Sequence, residues 1–249
     1  MAPLFSSFRA NCVMNDDDDA VVVSFLSGLV TENRLNRLEE ILAQRTKYIT
    51  VALEDIYQSQ NASAVLRTCE CFGIMDIHII ENYNTYSINP MVLQGADKWL
   101  NIKRYSQYDH STGVAVSRLK SEGYRIVATS LNEDSIGLDA FDISGGKFVV
   151  VFGNEHQGVS EYMLKQADER LKVSMCGFTQ SLNISVSAGI IISQLTRKIR
   201  NSAINWQLTE KEKESVRAEW LKRAVKNSQM LLNYMATEKL SNKSKVMMR

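Results

Sequence analysis

Three short polar segments of this chain contain residue types that could bind a ligand or move a proton. They are NASAVLR at 61–67, GNEHQG at 153–158 and SLN at 181–183. The second segment follows the apolar run 148–152, and phosphate-binding loops also follow strands in this way. It lacks the Lys-Ser/Thr pair of a P-loop, and no G-x-G-x-x-G motif occurs in the chain. Because the carboxylate of Glu155 would repel phosphates, these segments disfavour a site for nucleoside triphosphates or NAD.

Each segment taken alone also fits an ordinary structural role. The glycines of the second segment could form a turn that caps a helix, with His156 as a surface histidine. Arg67 and Glu70 have the i,i+3 spacing of an exposed ion pair on a helix. Asn61 and Asn183 are residue types that cap the N-termini of helices. A function can therefore be inferred only from the three segments taken together.

Strands and helices alternate along most of the chain. Apolar runs predict strands at 48–53, 77–80, 124–129, 148–152 and 171–175. Helical spacing predicts helices at 31–44, 61–72, 114–121, 160–167 and 182–199, and one or two amphipathic helices within 209–235. This alternation is typical of an α/β fold, a parallel sheet with helices on both faces. The polar segments would then lie at the carboxyl edge of the sheet, where such folds bind ligands.

The composition fits a folded protein with one main domain and appended helices. Of its 249 residues, 45% are hydrophobic and 23% are charged. The net charge of +1 hides an asymmetry, because residues 197–249 hold 13 Lys/Arg and 5 Glu, whereas the remainder is acidic. A basic tail on an acidic body predicts attraction to a polyanion. The alternative is a solvated amphipathic helix with surplus lysine.

The cysteines indicate a reduced setting. The four cysteines have no C-x-x-C spacing and no matching histidine pattern, which disfavours zinc and a disulfide framework: Cys12, Cys69, Cys71 and Cys176. We therefore expect a cytoplasmic protein without a metal site. The apolar stretch 20–26 is too short to span a membrane. Residues 1–30, with the run Asp16–Asp19, are expected to form a poorly ordered tail.

Together, in order and spacing, the three segments resemble the SpoU/TrmH branch of the SPOUT RNA methyltransferases. The resemblance rests on NASAVLRT at 61–68, FGNEHQGVS at 152–160 and SLNISVS at 181–187. It extends to GADKW at 95–99 and to Trp220-Leu221. Family members often have His-Lys-Pro-His before the first asparagine and Pro at the position of Ser174, whereas this chain has Tyr57-Gln58-Ser59-Gln60 before Asn61.

The resemblance implies a particular fold and assembly. The C-terminal half of the sheet would form a deep trefoil knot, and the protein would be a homodimer with its active sites at the subunit interface. The expected domains are a tail at 1–30, an N-terminal helical extension at 31–47, the SPOUT domain at 48–200 and a basic C-terminal helical extension at 201–249.

The resemblance also implies S-adenosyl-L-methionine as cofactor and a ribose 2′-hydroxyl of RNA as methyl acceptor. The cofactor contacts carried over from the family are Ser130, Gly153, Val173 and Leu182. The catalytic arginine corresponds to Arg67, and the surrounding site consists of Asn61, Glu155, Ser181 and Asn183. Because a guanidinium is effectively always protonated, we expect Arg67 to bind an RNA phosphate and to stabilise alkoxide charge rather than to act as a base.

The expected substrate is guanosine in the D-loop of tRNA. The N-terminal stretch is too short and too acidic to be the RNA-binding domain of a ribosomal RNA enzyme, which favours tRNA. The alternatives are 2′-O-methylation of 23S rRNA, a catalytically silent RNA-binding protein on the same fold, and an unrelated small-molecule α/β enzyme. No membrane partner is expected.

Basic side chains in the flanking helices predict a footprint for tRNA phosphates and a steep salt dependence of binding. They are Arg34, Arg37, Arg45, Lys47, Arg197, Lys198, Arg200, Lys211, Lys213, Arg217, Lys222, Arg223 and Lys226.

Overall fold

Seven parallel strands form one sheet in the computed structural model, which describes residues 16–107, 110–235 and 237. The strands are β1 Ile49–Glu54, β2 Asp76–Ile80, β3 Asn101–Tyr105, β4 Arg125–Thr129, β5 Ile136–Gly137, β6 Phe148–Phe152 and β7 Glu169–Lys172. Their order across the sheet is β3-β2-β1-β6-β4-β7-β5, and every pair is parallel. The prediction of a parallel α/β sheet is confirmed.

Helices cover both faces of the sheet within the compact unit Ala43–Leu208. They are α3 Ser59–Cys71, α4 Pro90–Leu93, a 3-10 helix Ala96–Trp99, α5 Ser111–Ser121, α6 Glu161–Gln166 and α7 Ile184–Arg200. Side chains of β6 alternate between the faces: Phe148, Val150 and Phe152 pack with α3 and α7, whereas Val149 and Val151 pack with α5 and α6. Burial on both faces explains why β6 is a continuous apolar run and why β1 and β2 are mostly apolar.

The strand order places a topological switch point between β1 and β6. These two strands are neighbours, yet the chain continues from β1 to β2 on one side and from β6 to β7 on the other. In open parallel sheets, ligands bind at the carboxyl ends of the strands beside such a point. The loops that follow Glu54 and Phe152 are therefore the places where a site is expected.

A second compact unit combines described residues before Ala43 with described residues after Leu208. It contains α1 Asp16–Ser27, α2 Glu32–Leu42 and α8 Glu210–Ala224, followed by helical residues 228–235. Helix α8 begins with a capping box between Thr209 and Glu212. Within this unit, α8 packs on α1 and α2, and Arg217 forms an ion pair with Glu39. None of the helices described is long and apolar enough to cross a membrane.

Two local predictions are wrong. The tail expected over residues 1–30 contains helix α1, because Val22 and Leu26 have i,i+4 spacing and are buried; residues 1–15 lie outside the described part of the chain. Helix α3 begins at Ser59 after Gln58, so Asn61 does not cap it and lies inside its first turn. Strands β3 and β5 were not predicted.

Candidate active site

The carboxylate of Glu155 is the centre of a hydrogen-bonded cluster at the switch point. Its Oε1 accepts hydrogen bonds from Asn61 Nδ2 at 2.9 Å and from the backbone N–H of Gln58 at 3.2 Å. Its Oε2 accepts one from the backbone N–H of Tyr57 at 3.0 Å. The Oδ1 of Asn61 accepts a hydrogen bond of 3.2 Å from Asn183 Nδ2. One residue from each polar segment of the sequence therefore belongs to this cluster.

The cluster keeps Glu155 ionised at neutral pH. Partial burial by itself would raise the pKa of its carboxyl, but the hydrogen bonds from Asn61 and from the backbone N–H groups outweigh it, and the net pKa lies below the ordinary value of 4.5. A carboxylate with this pKa is a poor proton donor. Its geometry instead fixes the side chain of Asn61 and the start of α3.

The loop that carries Glu155 closes on itself. The backbones of Asn154 and Gly158 form two hydrogen bonds of 2.9 and 2.8 Å. A Cβ on Gly153 would lie 2.1 Å from the backbone of Gly158, so glycine is required there. The side chain of Asn154 fixes the loop further, because its Nδ2 donates to the carbonyl of Asp55 and its Oδ1 accepts from the N–H of His156.

Glu54, the last residue of β1, anchors the far end of this loop. Its side chain is 2% exposed. Its carboxylate accepts hydrogen bonds of 2.8 Å from both the N–H and the hydroxyl of Ser160, and one of 2.7 Å from Thr112 Oγ1. The start of α6 and the start of α5 are thus tied to the end of β1. Sequence reasoning missed this residue, and its signal is a carboxylate that ends a buried apolar run.

Asp55 joins the loops that follow β1, β2 and β6. Its φ of 55° is in the left-handed region, which a non-glycine residue occupies only when its surroundings hold it there. Its Oδ1 accepts three backbone hydrogen bonds of 2.7–3.2 Å, from Asn82, Tyr83 and Asn84. The backbone carbonyl of Asp55 also accepts a hydrogen bond from the side chain of Asn154. Asp55 therefore connects all three loops.

Arg67 lies apart from the Glu155 cluster. It is exposed on α3, and the hydrogen bond described for its guanidinium is a 3.4 Å contact with the carbonyl of Val92. Residues six apart on a helix are about 9 Å apart along the axis, and their side chains point in different directions, so Asn61 and Arg67 do not share a face. Glu70, which has the spacing for the alternative ion pair with Arg67, instead pairs with the buried Arg45 at 2.6 Å.

Ser181 and Asn183 lie at the entrance to α7. Asn183 is its N-cap and accepts a hydrogen bond of 2.8 Å from the N–H of Ser185, which confirms the predicted capping role. Ser181 is exposed two residues earlier. The face of α7 that packs on the sheet includes five buried apolar residues: Ile184, Ala188, Ile191, Ile192 and Leu195.

The expected cofactor residues lie at neighbouring strand ends. Ser130 follows β4, Gly153 follows β6 and Val173 follows β7, and β6, β4 and β7 are adjacent in the sheet. Leu182 immediately precedes the cap of α7. All four residues are half-buried. Neither their side chains nor their backbones bring a charge, so they would suit a ligand bound by main-chain groups and apolar contact.

Much of the predicted basic footprint is engaged within the protein. Arg45 is 1% exposed, and Lys198 and Arg200 donate to backbone carbonyl groups. Four more of the predicted basic residues pair with glutamates, namely Arg37, Lys213, Arg217 and Lys222. These seven contribute less to phosphate binding than their number in the sequence indicates.

Comparison with known proteins places these motifs in one family. Residues 48–193 match the SpoU rRNA Methylase family. A tRNA (guanosine(18)-2′-O)-methyltransferase from Borreliella burgdorferi is 43% identical over 218 residues, which cover 88% of this chain and 98% of that protein. The protein of the same name from Aquifex aeolicus is 32% identical over 195 residues, covering 77% and 90%.

Solved structures share the fold. The crystal structure of the A. aeolicus TrmH/SpoU tRNA modifying enzyme has a TM-score of 0.70 at 31% identity and covers 79% of this chain and 98% of its own. An AdoMet-bound rRNA methyltransferase from Sinorhizobium meliloti has a TM-score of 0.54 at 21% identity, covering 65% and 60%. At that identity the second similarity concerns the fold alone.

Proposed function

This chain belongs to the SpoU rRNA Methylase family, and we propose that it transfers the methyl group of S-adenosyl-L-methionine to the ribose 2′-oxygen of guanosine in the D-loop of tRNA. Three relatives that cover 77–88% of the chain are named for methylation of guanosine 18 of tRNA. The observation that carries the proposal is the hydrogen-bonded chain Glu155–Asn61–Asn183, which joins the three family motifs at the switch point of the sheet.

S-adenosyl-L-methionine fits the strand ends beside this cluster. Val173 and Leu182 offer apolar contact, and Ser130 and Gly153 offer main-chain groups at the neighbouring strand ends. No carboxylate belongs to this set, which suits a site that holds an adenosine largely through backbone groups. When bound there, the cofactor supplies an activated methyl group.

Asn61, Glu155 and Asn183 would position the ribose. The carboxylate of Glu155 holds Asn61 in one orientation, and Asn61 in turn accepts from Asn183. Holding the acceptor oxygen in line with the methyl group is the main requirement of a displacement reaction of this kind. Ser181, exposed beside Asn183, would contribute a hydroxyl to the same surface.

Arg67 would bind an RNA phosphate and stabilise negative charge on the 2′-oxygen. It is exposed, and the structure describes no carboxylate that pairs with it. A guanidinium keeps its proton at neutral pH and therefore cannot serve as a base. A bidentate contact with a phosphate uses its planar geometry, and the same charge would stabilise the 2′-oxygen as its proton passes to water and S-adenosyl-L-homocysteine leaves.

We further propose a homodimer with its active sites at the subunit interface, and a deep trefoil knot in the C-terminal half of the sheet. The separation of Arg67 from the Glu155 cluster supports the homodimer, because a partner subunit could bring its own Arg67 to that cluster. Exposed apolar side chains at Phe178 and Val186, beside the entrance to α7, support it too. Membership in the family supports the trefoil knot. A tRNA substrate also supports a cytoplasmic location.

The proposed function is tested by nucleoside mass spectrometry of tRNA and rRNA from cells with and without the gene. Loss of 2′-O-methylguanosine from the tRNA D-loop is expected. Loss from rRNA alone would contradict the choice of substrate. In vitro, a tRNA transcript with 2′-deoxyguanosine at the target should accept no methyl group from purified protein, while the all-ribose transcript does.

A further inference from the structure

An exposed aromatic side chain stands beside the proposed catalytic cluster. Tyr57 is 64% exposed, although its backbone N–H is held by Glu155 at 3.0 Å. Because most of this residue is exposed, its ring contributes little burial to the fold and is available to a ligand at the edge of the proposed site. Its position is fixed by the same carboxylate that holds Asn61.

A second ring packs against the first. The rings of Tyr57 and His156 are 6.0 Å apart between centroids and meet edge to face at 61°. His156 is exposed, and its backbone N–H donates to Asn154 Oδ1 at 2.9 Å. Both residues therefore have backbones anchored by hydrogen bonds and side chains that remain accessible. This pair, Tyr57 and His156, is called the aromatic pair below.

We propose that the aromatic pair is a stacking surface for a nucleobase of the RNA substrate, next to the ribose that is methylated. This inference rests on the proposed function. Proteins that recognise unpaired RNA stack its bases on exposed aromatic and histidine side chains. The tyrosine ring carries no charge, so the contact adds affinity and orientation without competing with Arg67 for a phosphate. Tyr57 is thus assigned to substrate positioning.

The position allows a specific test, because Tyr57 donates its hydrogen bond to Glu155 from the backbone N–H. Tyr57→Ala removes the ring and keeps the N–H, so the Asn61–Glu155 contact should persist. Tyr57→Phe keeps the ring. Tyr162→Ala is the matched control, since Tyr162 is also an exposed tyrosine, 51% accessible, and it lies on α6 over Gly113.

We expect Tyr57→Ala to raise the KM and Kd for tRNA roughly tenfold to hundredfold, the effect of losing one base–aromatic stack. The affinity for S-adenosyl-L-methionine and the melting temperature should stay at their wild-type values. Tyr57→Phe and Tyr162→Ala should keep the wild-type KM. A wild-type KM and Kd in Tyr57→Ala would overturn the proposal.

Substrates that lack one base identify the stacked partner. RNA is prepared with an abasic site at the target nucleotide or at either neighbour, and Kd is measured by filter binding without cofactor. If Tyr57 stacks on one of these bases, removing both ring and base costs less than the sum of the single losses. Strict additivity at all three positions would refute the stack.

Two further outcomes distinguish base stacking by Tyr57 from methyl transfer and from a contact between subunits. If wild-type protein binds RNA but methylates none, the proposed reaction fails while the binding cycle still decides the role of Tyr57. If Tyr57→Ala leaves RNA binding unchanged but lowers the dimer content in sedimentation, the ring is covered by a second copy of the chain, and the stacking proposal is wrong.

Discussion

The side-chain amide of Asn61 donates a hydrogen bond of 2.9 Å to the carboxylate of Glu155, a residue 94 positions later in the chain. The contact is possible because β1 and β6 are adjacent and parallel, so that the loops after them meet. This hydrogen bond connects the first turn of α3 with the loop after β6. The hydrogen bond from Asn183 to Asn61 adds the start of α7. The site is therefore assembled by the order of the strands.

Glu155→Gln should lower kcat about 100-fold, the typical effect of misplacing a reacting group by about an ångström. A glutamine has one acceptor oxygen and an NH2 group, so it cannot accept from Asn61 and from the N–H groups of Tyr57 and Gln58 together. The rate is measured with saturating tRNA and S-adenosyl-L-methionine. The control is Glu161→Gln, because the side chain of Glu161 is 91% exposed. A wild-type kcat for Glu155→Gln would exclude a positioning role for this carboxylate.

Much of the sheet is evident in the sequence, whereas its edges are not. The strands β1, β2 and β6 are buried throughout, so most of their residues are apolar and they are visible in the sequence. The edge strand β3 reads NIKRY and is largely accessible, and β5 has two residues. Neither contains enough apolar residues to produce a periodic signal. Helix α1 was missed because its four aspartates obscure the i,i+4 pair of Val22 and Leu26.

In the site, too, local sequence patterns predict the elements but not the contacts between distant residues. Periodicity places Asn61 on a helix and Glu155 after a strand, but the contact between them depends on the strand order. The family resemblance groups these residues, and the structure adds the hydrogen bonds between them. Neither periodicity nor the resemblance identifies Glu54 or Asp55. They act by accepting hydrogen bonds from distant loops, and no local pattern reports such contacts.

Glu54→Gln should lower the free energy of unfolding by about 1–3 kcal/mol. A buried glutamine cannot accept from both donors of Ser160 and from Thr112 without leaving one of them unsatisfied. The measurement is urea denaturation followed by circular dichroism. Glu133→Gln is the control, because its side chain is exposed in a loop. Equal stability of Glu54→Gln and wild type would mean that the loop is not held by this residue.

His78 should make the fold sensitive to mild acid. It is fully buried on β2, and burial lowers its pKa to about 4. Its Nδ1 contacts the hydroxyl of Tyr105 at 2.9 Å, and Lys103 and Arg118 lower the pKa further, whereas Asp76 and Glu122 oppose them. In the unfolded chain this histidine titrates near 6.5. The stabilisation of the fold by neutral, buried His78 is therefore complete above that pH and is lost as the pH falls towards 4.

The expected loss from His78 amounts to about 3 kcal/mol between pH 7 and pH 4. The free energy of unfolding is measured by denaturant titration across this range, for wild type and for His78→Gln. Glutamine does not titrate, so the variant should lose less stability over the same interval. Parallel pH profiles for the two proteins would show that the acid sensitivity has another origin.

Arg67 should contribute a phosphate contact that neither Lys198 nor Arg200 can make. The latter two donate to backbone carbonyl groups at 2.8–3.3 Å, whereas Arg67 is exposed with one long hydrogen bond. Each phosphate contact makes the slope of log K against log salt concentration steeper by about 0.7–0.9. Arg67→Gln should therefore reduce the slope for tRNA by that amount, while Lys198→Gln should leave it unchanged and lower the thermal stability.

Arg67→Lys distinguishes the two parts of this role. A lysine keeps the charge, so the salt slope should stay near the wild-type value, but it cannot contact a phosphate with two parallel hydrogen bonds. We expect kcat to fall at least tenfold, because the phosphate and the adjoining ribose would be less well oriented. Since Arg67 contributes little to the fold, the melting temperature should not change. If Arg67→Lys kept full activity, charge alone would suffice, and the planar guanidinium would not be what orients the RNA.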